Sequence, residues 1–193
     1  MDILKKDFKY KIVKNFLSPE ERKIGLRYLL LKHKKNSITF DYKQSNNLDT
    51  YFAEDDFTGA LLMEKLNRME KETGLKLIPT YCFSRVYSYN AVLTEHTDRP
   101  ACEVSISINW GSCGTKWPLY MDGVECNMEP GDGLIYLGCD LKHKREYFTG
   151  DYAVQSFLHY VDKEGPYTSE ALDKKDALIS PVINYDEYKK YVG

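Results

Sequence analysis

Histidine is scarce in this chain, with four residues in 193, and several features that would define other protein classes are missing altogether. No apolar run is long enough to span a membrane. The opening stretch MDILKKDFKYKIVKNF lacks the apolar centre of a signal peptide. The five cysteines, Cys82, Cys102, Cys113, Cys126 and Cys139, are odd in number and contain no C-x-x-C pair. That usage argues against a disulfide framework or a zinc ribbon and gives the expectation of a cytoplasmic protein with reduced thiols. The net charge of −2 provides no general attraction to nucleic acid. Neither an internal repeat nor a low-complexity segment is present, and the length predicts one domain over residues 1–193.

The first part, residues 1–75, reads as mainly helical. The stretch YKIVKNFLSPEER predicts a short strand and then a helix start, with Ser18 as N-cap, Pro19 at the first helical position and Glu21 completing a capping box. This helix is expected to run to about Leu31. A second is expected from Phe57 to Thr73, stopped by Gly74. The polar, aromatic segment between them is either loop or short strand. From Lys76 to Tyr160 the texture is that of short strands separated by Gly, Pro and Asp turns, of which EPGDG is the strongest. In CEVSISINW the apolar residues Cys102, Val104, Ile106 and Ile108 alternate with Glu103, Ser105, Ser107 and Asn109. Together these patterns predict a mainly β protein with flanking helices, its strands forming a sandwich or barrel over residues 76–161. A polar tail follows over 162–193.

The chemistry-bearing pattern is LTEHTD. His96 and Asp98 are one residue apart, so on extended backbone both side chains point to the same side. A third ligand must come from elsewhere, and His143, after the EPGDG turn and the strand LIYLGCD, is placed for a returning strand to deliver it. Two histidines and a carboxylate on one face make the facial triad that suits Fe(II) and leaves positions open for chemistry. H-x-D alone also occurs in ordinary surface loops, and His143 could belong to a solvated basic cluster; the ordered combination of motifs is what carries weight. His33 lies in a basic helix end. His159, mid-strand in SFLHY, is expected to be a hydrogen-bonded structural residue.

The segments RVYSYNAVLTEHTD and MEPGDGLIYLGCDLKH resemble those of the 2-oxoglutarate- and Fe(II)-dependent dioxygenases, in particular the prolyl-hydroxylase-like and phytanoyl-hydroxylase-like branches. The resemblance covers about residues 76–161. It implies a double-stranded β-helix, a jelly-roll or cupin-like barrel with N-terminal helices on one side. It also implies that His96, Asp98 and His143 bind iron, and that 2-oxoglutarate and O2 are co-substrates. Because the carboxylate of Asp98 is retained, the resemblance favours hydroxylation over halogenation.

One departure concerns the co-substrate. The family usually places a basic residue two positions after a glycine on the strand following the distal histidine, where it holds the far carboxylate of 2-oxoglutarate. Here Tyr152 stands two positions after Gly150. Strand alternation puts Arg85 on one face with Tyr87, which makes Arg85, assisted by Tyr87, the first candidate. Arg145 comes second and Arg99 third. The substrate, a small molecule or a peptide, cannot be read from the sequence, nor can the oligomeric state. Two other classes remain open: a cupin-like metalloenzyme that does not use 2-oxoglutarate, which a three-histidine site including His159 would favour, and a non-catalytic jelly-roll binding module.

Overall fold

The computed structural model describes residues 9–35, 45–46, 48–53 and 55–174. Ten strands and three α-helices are assigned within them. In order these are β1 (Tyr10–Val13), α1 (Pro19–Lys35), β2 (Asp49–Ala53), α2 (Asp56–Glu64), α3 (Leu66–Thr73), β3 (Leu77–Ser88), β4 (Leu93–His96), β5 (Val104–Ser112), β6 (Leu119–Met121), β7 (Val124–Cys126), β8 (Gly133–Tyr136), β9 (His143–Arg145) and β10 (Tyr152–Asp162). All pairings are antiparallel. Six strands form one sheet in the order β1-β8-β5-β10-β3-β2, and four form a second in the order β4-β9-β6-β7.

The expected capping box is formed. Glu21 N–H donates to Ser18 Oγ at 3.1 Å, and Ser18 N–H donates to Glu21 Oε2 at 2.7 Å. Helix α1 runs four residues beyond the expected Leu31, to Lys35. The expected helix over 57–73 is two helices that meet at Lys65, where no glycine or proline marks a break. There the ammonium of Lys65 pairs with Glu21 at 2.7 Å and sits over the Phe16 ring, a tertiary contact that local pattern does not encode. The first part of the chain is also less purely helical than expected. Its two strands, β1 and β2, close the two edges of the six-stranded sheet; β2 is a strand within the ambiguous segment, of which residues 36–44, 47 and 54 lie outside the described residues. Of the tail, residues 168–174 form 3₁₀ turns broken by a kink, and residues 175–193 lie outside the described residues.

The six-stranded sheet has two very different faces. One packs on the helices through Val104, Ile106, Ile108, Trp110, Val154 and Leu158, all at most 1 % exposed. Gly25 of α1 lies flat against Trp110, and a Cβ there would fall 2.2 Å from the ring. The alternate residues of the same strands face the four-stranded sheet. They include Ser105 and Ser107 on β5, Arg85 and Tyr87 on β3, and Gln155 and His159 on β10. The strict alternation seen in CEVSISINW therefore separates two buried faces, one apolar and one polar. Cys102 itself falls in a 3₁₀ turn before β5.

Candidate active site

The polar face encloses a cavity of about 370 Å³ whose wall includes His96, Asp98, His143, Arg85, Tyr87 and His159. Two of these come together through strand pairing: β4 and β9 are antiparallel neighbours with His96 directly opposite His143. Their ring centroids are 4.3 Å apart. Asp98 follows β4 by two residues, and its N–H donates to the Gly138 carbonyl at 2.8 Å. Gly138 is needed for this placement, because a Cβ there would lie 2.6 Å from Asp98 Oδ2.

The donor atoms converge. Asp98 Oδ1 lies 3.5 Å from His96 Nε2 and 3.6 Å from His143 Nε2. The ligating atoms of the three residues all fall within 4.8 Å of one another. Each imidazole is oriented from behind: Nδ1 of His96 meets the Thr94 carbonyl at 2.7 Å, and Nδ1 of His143 meets the Leu141 carbonyl at 3.0 Å. A carbonyl only accepts, so Nδ1 carries the proton in both rings, and both neutral Nε2 atoms turn their lone pairs toward the carboxylate. Burial disfavours protonation of His96, but Asp98 and the Thr94 carbonyl outweigh it and hold its pKa above the ordinary value. Burial dominates at His143 and lowers its pKa. Asp98 resists the upward push of burial through its two histidine neighbours and stays below the usual carboxylate range. Two imidazole nitrogens and a carboxylate oxygen turned toward one another are the arrangement a cation stabilises.

The arginines separate in a way the sequence did not disclose. Arg85 shares its face with Tyr87 as expected and walls the cavity. Its guanidinium, however, already pairs with the buried Asp49 at 2.9 Å and lies over the rings of Tyr51 and Phe83. Arg145 is equally buried but has no carboxylate partner among the described residues. Its Nη1 donates to the Trp117 carbonyl and its Nη2 to Gln155 Oε1 at 3.4 Å, while Nε has no partner. Burial lowers its pKa to about 10. It lines a second cavity of about 280 Å³ with Gln155, Asn109 and Trp117. The Trp117 ring contacts both the Arg145 guanidinium, at 4.8 Å, and the Tyr87 ring, also at 4.8 Å. Arg99 stacks on Tyr81 at 4.3 Å and pairs with Asp173 at 2.6 Å, half exposed at the cavity wall.

His159 is hydrogen-bonded within its strand region, as expected, through Nδ1 to Ser105 Oγ at 2.7 Å. It is also a cavity residue, which the sequence reading missed. Gln155 was missed as well. The signal was available, since extending along β10 the alternation used for Arg85 and Tyr87 places Gln155 and His159 on the inner face.

No family model matches the chain, and no curated protein matches it. Solved structures do. The epimerase SnoN from nogalamycin biosynthesis, described as a non-heme alpha ketoglutarate dependent enzyme, aligns with a TM-score of 0.65 at 12 % identity, over 80 % of this chain and 78 % of that one. A prolyl-4-hydroxylase from Pseudomonas putida aligns with a TM-score of 0.61 at 16 % identity, over 81 % and 94 %. The viral collagen prolyl hydroxylase from Paramecium Bursaria Chlorella virus-1 aligns at 0.58 and 12 %, over 79 % and 96 %. With its two antiparallel sheets, its helices on one face and its polar inner cavity, the chain has the fold of the 2-oxoglutarate- and Fe(II)-dependent oxygenases.

Proposed function

We propose that this protein is an Fe(II)- and 2-oxoglutarate-dependent oxygenase whose single catalytic unit hydroxylates a small molecule or a peptide. The observation that carries the reading is the convergence of His96 Nε2, His143 Nε2 and Asp98 Oδ1 on one point inside the cavity. These donors fit Fe(II): two imidazoles with their tautomers fixed from behind and one carboxylate, with the cavity open on the other side. The two sheets would then be the halves of a double-stranded β-helix with the ion between them. The bound ion would supply O2 activation coupled to the oxidative decarboxylation of 2-oxoglutarate to succinate and CO2.

The chain's own residues would bind, orient and exclude water. 2-Oxoglutarate carries two carboxylates, and the one far from the ion needs a counter-charge in a buried site. Charge balance supports Arg145 over Arg85. Arg85 is neutralised by Asp49 and brings no net charge, whereas Arg145 is a buried cation without an anion. Tyr87, which packs on the same indole as Arg145, would add a phenolic hydrogen bond. Arg85 would shape the wall that separates the co-substrate from β2.

The neighbours differ in what their descriptions name. SnoN is described in complex with Fe3+, alpha ketoglutarate and nogalamycin RO, and a Trichoplax adhaerens prolyl hydroxylase with a peptide fragment. SnoK is described as a carbocyclase. Because Asp98 would supply a carboxylate to the ion, hydroxylation or a related oxidation is favoured over halogenation. The test is succinate formation by purified protein with Fe(II), ascorbate and 2-oxoglutarate, against metal-free controls. Replacing His96 or His143 with Ala should abolish both succinate formation and stoichiometric iron binding while the protein stays folded. Parental iron binding in either variant would refute the assignment.

A further inference from the structure

Two side chains beside the triad, Cys102 and His159, are unexplained by the site described so far. The ligating atoms of Asp98, Cys102 and His159 lie within 4.8 Å of one another, a second group that shares Asp98 with the triad. Two polar atoms here have no hydrogen-bond partner: Asp98 Oδ2 and His159 Nε2. Both residues line the main cavity, and His159 is 98 % buried, stacked under Tyr81 at 4.4 Å.

The hydrogen bonds fix what these atoms can accept. Ser105 Oγ donates its one hydrogen to the Cys102 carbonyl at 3.0 Å. With that hydrogen so placed, the contact with His159 Nδ1 is assigned to an imidazole N–H, and Nε2 of the neutral ring is then an acceptor. Asp98 Oδ2, an ionised carboxylate oxygen, is an acceptor too. Neither of the two buried atoms has a partner, and one group with two hydrogens to give would satisfy both. A water molecule is the smallest such group, and unsatisfied buried acceptors cost about 1–3 kcal/mol each. A second metal ion is the competing occupant. The third donor speaks against it: Cys102 is pushed well above the ordinary thiol range by burial, and its sulfur is engaged by the Tyr81 hydroxyl at 3.1 Å.

We propose that His159 is a positioning residue for the metal centre, holding Asp98 through a bridging water that donates one hydrogen to Asp98 Oδ2 and the other to His159 Nε2. This inference rests on the metal reading above. With Oδ2 held by the water on one side and pressed against Gly138 on the other, the carboxylate presents only Oδ1 to the two histidines. Groups that orient a ligand in this way typically contribute 10–100-fold to metal affinity.

The experiment is titration of the metal-free protein with Co(II) by calorimetry, in the parent and in His159→Phe, His159→Leu and His159→Gln. Phe keeps the ring stack but removes the acceptor, Leu removes both, and Gln restores an acceptor through Oε1. The parent should bind one equivalent, and His96→Ala should abolish it. Phe and Leu should each weaken binding at least tenfold, and Gln should stay within about threefold of the parent, as the outer-ligand range predicts. Melting temperatures report folding independently, and either Phe or Leu suffices if the other is unfolded. Parental affinity in the folded Phe or Leu variant overturns the inference while leaving the triad intact. A second equivalent of Co(II) that disappears in Cys102→Ser also overturns it, in favour of a second metal ion. Undiminished binding in His96→Ala refutes the triad itself, and this inference falls with it.

Discussion

The two faces of the six-stranded sheet use the same strands for opposite ends. The face toward the helices is saturated. Val104, Ile106, Ile108, Val154 and Leu158 are buried in one apolar cluster with α1 and α2, and Trp110 Nε1 there donates to Ser156 Oγ at 2.6 Å. The face toward the four-stranded sheet is buried to a similar degree but leaves atoms unsatisfied: Arg145 Nε on the opposing strand, His159 Nε2, Ser107 Oγ and Asp98 Oδ2. Burying polar groups without partners is costly, so unpaired atoms on one face and not on the other suit that face to hold water or a ligand. On the proposed function, stability resides in the outer face and chemistry in the inner one.

The sharpest way to break this comparison is to disturb the inner face and look for binding effects without stability effects. Arg145→Gln should weaken 2-oxoglutarate binding by several hundredfold or more, because losing one partner of a buried charge pair costs about 3–5 kcal/mol. Iron binding should persist. Arg85→Gln should have the smaller effect on 2-oxoglutarate and the larger on stability, since it strands Asp49. The reverse ranking, measured by calorimetry, would move the anchor to Arg85.

On the outer face the expectation inverts. Ile106→Ala removes a fully buried side chain from the helix-facing core and should cost about 3 kcal/mol in urea unfolding, with Co(II) affinity of the folded protein unchanged. A large loss of metal affinity at Ile106 would show that the two faces are not separable.

The smallest expected effect sharpens the comparison through pH. Burial lowers the pKa of His159 from 6.5 to about 4. Between those values the unfolded chain binds a proton at this site that the folded chain does not, so stability falls as pH falls from 6.5 toward 4. At most about 3 kcal/mol is lost through this residue. His159→Phe should flatten the pH dependence of unfolding in that window. Identical slopes in parent and variant would contradict the buried, neutral imidazole.

Much of this organisation was legible in the sequence. The capping box at Ser18, the alternation in CEVSISINW and the shared phase of Arg85 and Tyr87 each depend on contacts within a few residues, and each appears as expected. Spacing singled out His96 and Asp98, the order of the motifs added His143, and the β4–β9 pairing sets the two histidines opposite each other. What stayed hidden depends on contacts between distant segments. The helix break at Lys65 comes with an ion pair to Glu21, forty-four residues away. The neutralisation of Arg85 by Asp49 spans thirty-six residues, and it reverses the order in which the two arginines suit an anion. His159 looked structural because its hydrogen bond to Ser105 is structural, and only the packed sheet shows its other nitrogen turned into the cavity.

The central claim is that the inner face holds an ion through His96, Asp98 and His143, and 2-oxoglutarate with it. Equilibrium dialysis of labelled 2-oxoglutarate under anaerobic conditions tests both parts at once. One equivalent should be retained in the presence of Fe(II), little in its absence, and little by His143→Ala with or without the metal. Retention that is indifferent to Fe(II) and to His143 would contradict the account.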